Sequence, residues 1–158
     1  MSQQSGPLSS FKSVVEYFRG LSLSHLNVKQ FKFGRRSDLD IEQSDNTPQY
    51  YPLVFMESNR TDFMDGGKVL YTFTLIVADI TNYELQTKED QLNTTMMIAQ
   101  DLFSRIRQTM WSTTDLKLEL PVTGRCFVES FNNTLTGWEF VMKIEVMNPY
   151  NNCDAAFN

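Results

Sequence analysis

One histidine, two cysteines, several serines and a run of carboxylates are the residues of this 158-residue chain whose types permit chemistry. Their spacing decides whether they perform it. A metal site needs three or four converging ligands, and His25 has neither a cysteine nor an acidic residue at a ligand spacing. Cys126 has no neighbouring histidine to activate it, and Ser13, Ser24 and Ser104 lack the tight strand-to-helix turn that presents a nucleophilic serine. Asp65, Gly66 and Gly67 read as a turn, because no Lys and Ser or Thr pair follows to complete a phosphate loop. Asp38, Asp40, Glu42 and Asp45 form an acidic series without the glycine and final glutamate of a calcium loop. Asp79 and Glu129 remain as the pair around which a carboxylate enzyme could be built, although a strand-end aspartate more often starts a turn. The expectation is therefore a protein that is not an enzyme, with no catalytic residue, no metal and no cofactor.

The elements that would position these residues are clearer than the chemistry. Lys68–Ile80 alternates with Val69, Tyr71, Phe73, Leu75 and Val77 on one face and Leu70, Thr72, Thr74, Ile76 and Ala78 on the other. Both faces are apolar enough to be covered, so a long central strand is predicted there. Thr87 and Asp90 have the spacing of a capping box and open a helix with Leu92, Met96, Ala99, Phe103, Ile106 and Met110 on one stripe. Residues 125–131 and 138–147 return to a period of two and should form an antiparallel hairpin across the polar turn at 132–137. In the last of these strands Trp138, Phe140, Met142, Ile144 and Val146 face the core, while Glu139, Lys143 and Glu145 mark a wet or interfacial side.

Upstream, Ser9 or Ser10 caps a short helix with Phe11, Val14, Val15 and Phe18 on its oily face, and Gly20 is placed to end it. Residues 25–33 read as a less regular strand, and 34–49 as a polar loop or arm in which only Leu39 and Ile41 are apolar. A loop of that length in a compact domain is usually functional or disordered, and its order would depend on a neighbour. Tyr50, Tyr51 and Pro52 open a strand at 53–57 that pairs with the long one through Asp65, Gly66 and Gly67, and a short strand lies near Lys117. The sum is one α+β domain over 9–148, with a mainly antiparallel sheet and two amphipathic helices packed on it, one N-terminal and one after the long central strand. Residues 1–8 and 149–158 are tails.

A net charge of -5 argues against a protein that grips nucleic acid by neutralising phosphates, and suits one that lets DNA pass without sticking. No stretch approaches the roughly 20 apolar residues of a membrane span, and the N-terminus lacks the pattern of a signal peptide, so a cytoplasmic protein without membrane contact is expected. In that compartment Cys126 and Cys153 are expected as two free thiols. The aromatic content of 13%, including Tyr50, Tyr51, Phe55, Phe63, Tyr71, Phe73, Trp111 and Trp138, exceeds what a small two-helix core needs and points to contact with other protein surfaces.

The series Tyr51, Pro52, Leu53, Val54, Phe55, the long strand ending Val77, Ala78, Asp79, the polar turn and the helix from Gln91, Leu92, Asn93 to Asp101, Leu102 resemble the tail-terminator, tail-completion and neck proteins of tailed bacteriophages. So does the ending, where Gly137 and Trp138 introduce the last strand and Pro149 and Tyr150 lead to Cys153. That resemblance covers roughly residues 8–153 and implies a virion protein, assembled in the host bacterial cytoplasm, that forms a ring of about six or twelve copies at the head-tail junction. Its partners would be its own copies, portal or connector and tail proteins, and genomic double-stranded DNA passing through the lumen without specific binding. Candidate subunit contacts are Tyr50, Tyr51 and Phe55 near the hairpin, with Arg35, Arg36, Asp38 and Asp40 reaching a neighbour through charge. The alternative is a cytoplasmic protein-binding adaptor or phage assembly chaperone acting as monomer or dimer.

Overall fold

The computed structural model describes residues 10–42, 50–81, 87–112, 116–130 and 135–147, without the side chains at 40–42, 111 and 112. Its elements are α1 (Phe11–Ser24), β1 (Gln30–Phe33), α2 (Arg36–Glu42), β2 (Leu53–Met64), β3 (Lys68–Ile80), α3 (Lys88–Ser112), β4 (Leu116–Leu118), β5 (Thr123–Ser130) and β6 (Leu135–Met147). The class is α+β, as the periodicities predict. The terminal tails, the rest of the arm at 43–49, the turn at 131–134 and the segment holding Pro149, Tyr150 and Cys153 lie outside the described residues.

The six strands make one sheet in the order β1-β2-β3-β6-β4, with β5 also on β6. Only β1 runs parallel to its neighbour β2. The central pair is β3 with β6, antiparallel from Lys68 opposite Met147 to Ile80 opposite Leu135. Beyond β6, β4 and β5 share one position: Leu116–Leu118 lie against the Ile144 to Val146 end, and Thr123–Ser130 against the rest.

Alternation along β3 builds two cores. Val69, Tyr71, Phe73, Leu75 and Val77 join Val54, Met56, Phe140, Met142, Ile144 and Val146 beneath α1 and α3, which add Val14, Val15, Phe18, Ile98, Leu102 and Ile106. On the opposite face Leu53, Phe55, Ile76, Ala78 and Leu135 close around Leu39 of α2 at one end of the sheet. Large apolar side chains buried in this way each contribute about 1.5–3 kcal/mol. Among the described residues one face is therefore roofed by two helices, and the other by α2 over one corner.

Four expectations are corrected. α1 runs past Gly20 to Ser24, because the next turn buries Ser22 and packs Leu21 on the core, which outweighs the roughly 1 kcal/mol cost of a helical glycine. Its N-terminus is closed by a reciprocal pair in which the Ser13 N–H donates to Ser10 Oγ and the Ser10 N–H to Ser13 Oγ, both at 3.1 Å. The strand expected over 25–33 shrinks to Gln30–Phe33, since residues 25–27 form a turn in which the Val28 N–H donates to the His25 carbonyl at 3.2 Å and Leu26 is 92% exposed. Residues 36–42 of the expected loop form α2, making three helices among the described residues; burial of Leu39 against the second core holds it.

The fourth correction concerns α3. Its cap is as read, with the Asp90 N–H donating to Thr87 Oγ1 at 3.2 Å. Ala99 and Ile106 of the expected stripe are buried in the first core and Met96, Phe103 and Met110 pack half-buried against it, but the deepest line is shifted to include Gln91, Thr95, Ile98 and Leu102. Two polar residues can turn inward because both are bonded: Gln91 Nε2 donates to the Ile80 carbonyl at 2.6 Å, and Thr95 Oγ1 to the Gln91 carbonyl at 2.8 Å.

Candidate assembly surface

The residues expected at subunit contacts gather where α2 meets the sheet, and the fold uses most of them itself. Glu139 points from β6 to the α2 side of the sheet and is only 9% exposed. It is held by two guanidinium groups, Arg36 of α2 through Nη1 and Arg125 of β5 through Nε, the latter at 2.8 Å. A buried carboxylate is tolerable only with such partners. The Arg36 N–H also donates to Glu57 Oε1 at 3.1 Å, and the Arg35 N–H to Asp38 Oδ2 at 2.7 Å, so α2 is tied to β2 and β6 at its first turn. The periodicity marks Glu139 as wet or interfacial; only the fold shows that two arginines cover it.

Phe55 is 1% exposed, so its ring serves the subunit's own second core and cannot reach another copy. Tyr51 packs partly buried against the same cluster. Arg35 and Tyr50 remain on the surface, and the Asp40 side chain lies outside the described part. The aromatic surplus is likewise mostly spent inside: Phe73 is fully buried among Phe11, Phe18 and Tyr71, and Trp138 donates its indole N–H to the Leu92 carbonyl at 2.9 Å. Phe63, at 75% exposed, and Tyr50 are the exceptions. The Trp111 side chain is not among those described.

Phe63 belongs to a feature that sequence reading missed, the length of β2. The strand runs to Met64, seven residues past the expected end at 57, and β1 covers only Leu53–Met56 of its outer side. Among the described residues no strand lies on that side of 58–62. At the opposite limit of the sheet the outer side of β5 is also open among the described residues, with Arg125 and the free thiol of Cys126 exposed. Each edge carries a register irregularity, between Ser58 and Arg60 in β2 and between Phe127 and Ser130 in β5. Charges and bulges of this kind restrain promiscuous strand pairing.

The residues examined for chemistry are dispersed. His25 Nε2 lies 2.9 Å from Asp101 Oδ2, a partner 76 positions away on α3, in a cleft of about 480 Å³ with Leu21, Leu26, Leu102 and Arg105. Ser24 Oγ is engaged with the Leu21 carbonyl at 2.6 Å. Among the described residues no three His, Cys, Asp or Glu side chains converge as metal ligands, and no helix is long and apolar enough to cross a membrane. Asp79 and Glu129 have separate partners: Asp79 Oδ1 accepts the Ile80 N–H at 2.8 Å, and Glu129 pairs with Lys88 at 3.2 Å.

Burial pushes the Asp79 carboxyl above its ordinary value of 3.8, with the Ile80 hydrogen bond opposing it. The folded chain thus keeps this proton to higher pH than the unfolded chain. Below 3.8 both states are protonated and nothing is lost; stability falls as pH rises through the folded value. Asp79→Asn keeps an oxygen acceptor for Ile80 and is expected to raise Tm at neutral pH, with the gain closing as pH approaches the unfolded value. Thermal melts of both proteins at neutral and acid pH check this, and an equal gain at both would refute it.

Compared with known proteins, the chain matches no family model and no curated protein.

Proposed function

We propose that the chain is a structural virion protein of a tailed phage, a ring subunit at the head-tail junction that serves as tail terminator or neck adaptor. It joins portal or connector to tail around a channel for DNA. The observation that carries this reading is a sheet in which, among the described residues, no strand lies on the outer side of β2 over 58–62 or on the outer side of β5 at Arg125 and Cys126. The two edges differ in sequence, so a contact between them is head to tail, and head-to-tail contacts close into rings when the rotation per copy divides a full turn. A charge of -5 supports a lumen that does not retain DNA, because retention rests on cations that release counterions from phosphate. The work of such a subunit is steric and mechanical, and the Arg36–Glu139–Arg125 clamp supports it by bracing α2 against the sheet.

Light scattering coupled to size exclusion over a range of concentrations, with negative-stain images of the same fractions, tests the assembly. The expected result is a closed ring with a mass several times the 18.3 kDa of one chain. A species of one or two chains at every concentration, unchanged by added portal and tail proteins, would overturn the ring. It would favour a protein-binding adaptor, a reading supported by the α1–α3 cleft with Leu26 at its rim.

A further inference from the structure

His25 is the single histidine of the chain, and both of its ring nitrogens are bonded. The Asn27 N–H lies 3.1 Å from Nδ1, and a backbone N–H can only donate, so Nδ1 presents a lone pair. The ring is then neutral with its proton on Nε2, which donates to Asp101 Oδ2 at 2.9 Å. With Nδ1 already engaged, the pair is not built to take a proton from a substrate.

The two bonds respond unequally to acid. Asp101 accepts from Nε2 whether the ring is neutral or charged, so α3 keeps its hold on His25 in both states. An imidazolium carries a second proton on Nδ1, which then faces the Asn27 N–H donor against donor, and that bond is lost. Asp101 and Arg105 are the charged residues that line the cleft with the ring, both from α3. The side contributed by α1 and the turn after it brings Leu21, Ser24, Leu26 and Asn27, none of which titrates.

The bond at risk brackets Leu26. Its acceptor is the side chain of the residue before Leu26 and its donor the backbone of the residue after, and within that bracket Leu26 is 92% exposed. Yet Leu26 borders a cleft of about 480 Å³ that also presents Leu21 and Leu102. Folding onto those side chains would remove apolar surface from water, so a restraint is needed to hold Leu26 off them. The ends of the turn are fixed by the His25 carbonyl, which accepts the Val28 N–H at 3.2 Å, and by burial of Val28 in the first core. Its middle is fixed by the His25 ring.

We propose that His25 is a proton-operated latch: the neutral ring holds Leu26 away from the α1–α3 cleft, and the imidazolium releases it to close over Leu21 and Leu102. The latch is internal to one chain and does not depend on the ring reading above. Nuclear magnetic resonance on the full chain tests it, since one histidine gives one set of ring signals. At neutral pH the ring nitrogens should report the tautomer with its proton on Nε2. As acid converts the ring to imidazolium in the folded protein, protection of the Asn27 amide against hydrogen exchange should fall roughly two- to tenfold, the net worth of one hydrogen bond. Contacts between the Leu26 and Leu102 methyl groups should appear over the same pH range. His25→Ala, which lacks the acceptor, should show both changes already at neutral pH; if that variant does not fold, the wild-type titration decides alone. A neutral ring with its proton on Nδ1, an Asn27 amide indifferent to the titration of the ring, or unfolding before the ring titrates would each overturn the latch. Loss of Asn27 protection with Leu26 still apart from Leu102 would overturn it too, because the released turn would not close.

Discussion

Gly137→Ala is expected to abolish or severely weaken the native sheet. Gly137 sits inside β6, opposite Ala78 on β3 and Phe127 on β5. A Cβ there would lie 2.0 Å from the Val77 carbonyl oxygen and 2.9 Å from the Ala78 Cα. Those are backbone atoms of the central strand, so the clash cannot be relieved by turning a side chain and must separate β3 from β6. Overpacking in a core costs about 1–3 kcal/mol when side chains can adjust, and here about 3 kcal/mol or more is expected. Domains have only about 5–15 kcal/mol in all. Urea titration followed by far-ultraviolet circular dichroism checks this, with Gly20→Ala as control, since a Cβ at Gly20 meets nothing within 4 Å. A Gly137→Ala midpoint equal to the wild type would show that the two strands are less closely apposed than described.

The same residue shows where sequence reading stops. Gly137 follows Asn132, Asn133, Thr134, Leu135 and Thr136, and a glycine at the end of a polar run reads as part of a turn. In the fold Leu135, Thr136 and Gly137 are already buried strand, because β6 needs their length to match all of β3. Where one segment carries its own signal the reading holds: Lys68–Ile80 is apolar on both faces and bounded by Gly67 and Thr81, and the Thr87 and Asp90 cap is local. Where the cause is distant it fails. α2 is anchored by the buried Leu39 and forms because the sheet corner and Glu139, 103 residues from Arg36, wait for it. The open edges were illegible for a related reason: alternation within β2 does not reveal that β1 ends after four residues.

Phe55→Ala is expected to destabilise the single chain by about 3–5 kcal/mol, the usual cost of removing a buried aromatic ring. Phe55 is the largest side chain of the second core, packed with Leu39, Leu53, Ile76, Ala78 and Leu135. Among the described residues no long helix lies above this face, so little can collapse into the space, and Leu39 loses the surface that holds α2. The effect on assembly should follow from that loss. In urea the midpoint should fall steeply, while the mass in native buffer should equal that of the wild type at the same concentration. Tyr50→Ala supplies the contrast: its ring is 45% exposed, and the change in unfolding free energy should stay within about 0.5 kcal/mol. Had Phe55 been a contact between copies, the variant would instead dissociate on dilution with unchanged stability of the monomer. Measuring both quantities on both variants thus separates a residue that builds the subunit from one that meets its neighbour, a distinction that proximity in the sequence conceals because Tyr50 and Phe55 are five positions apart on either side of the point where β2 enters the sheet.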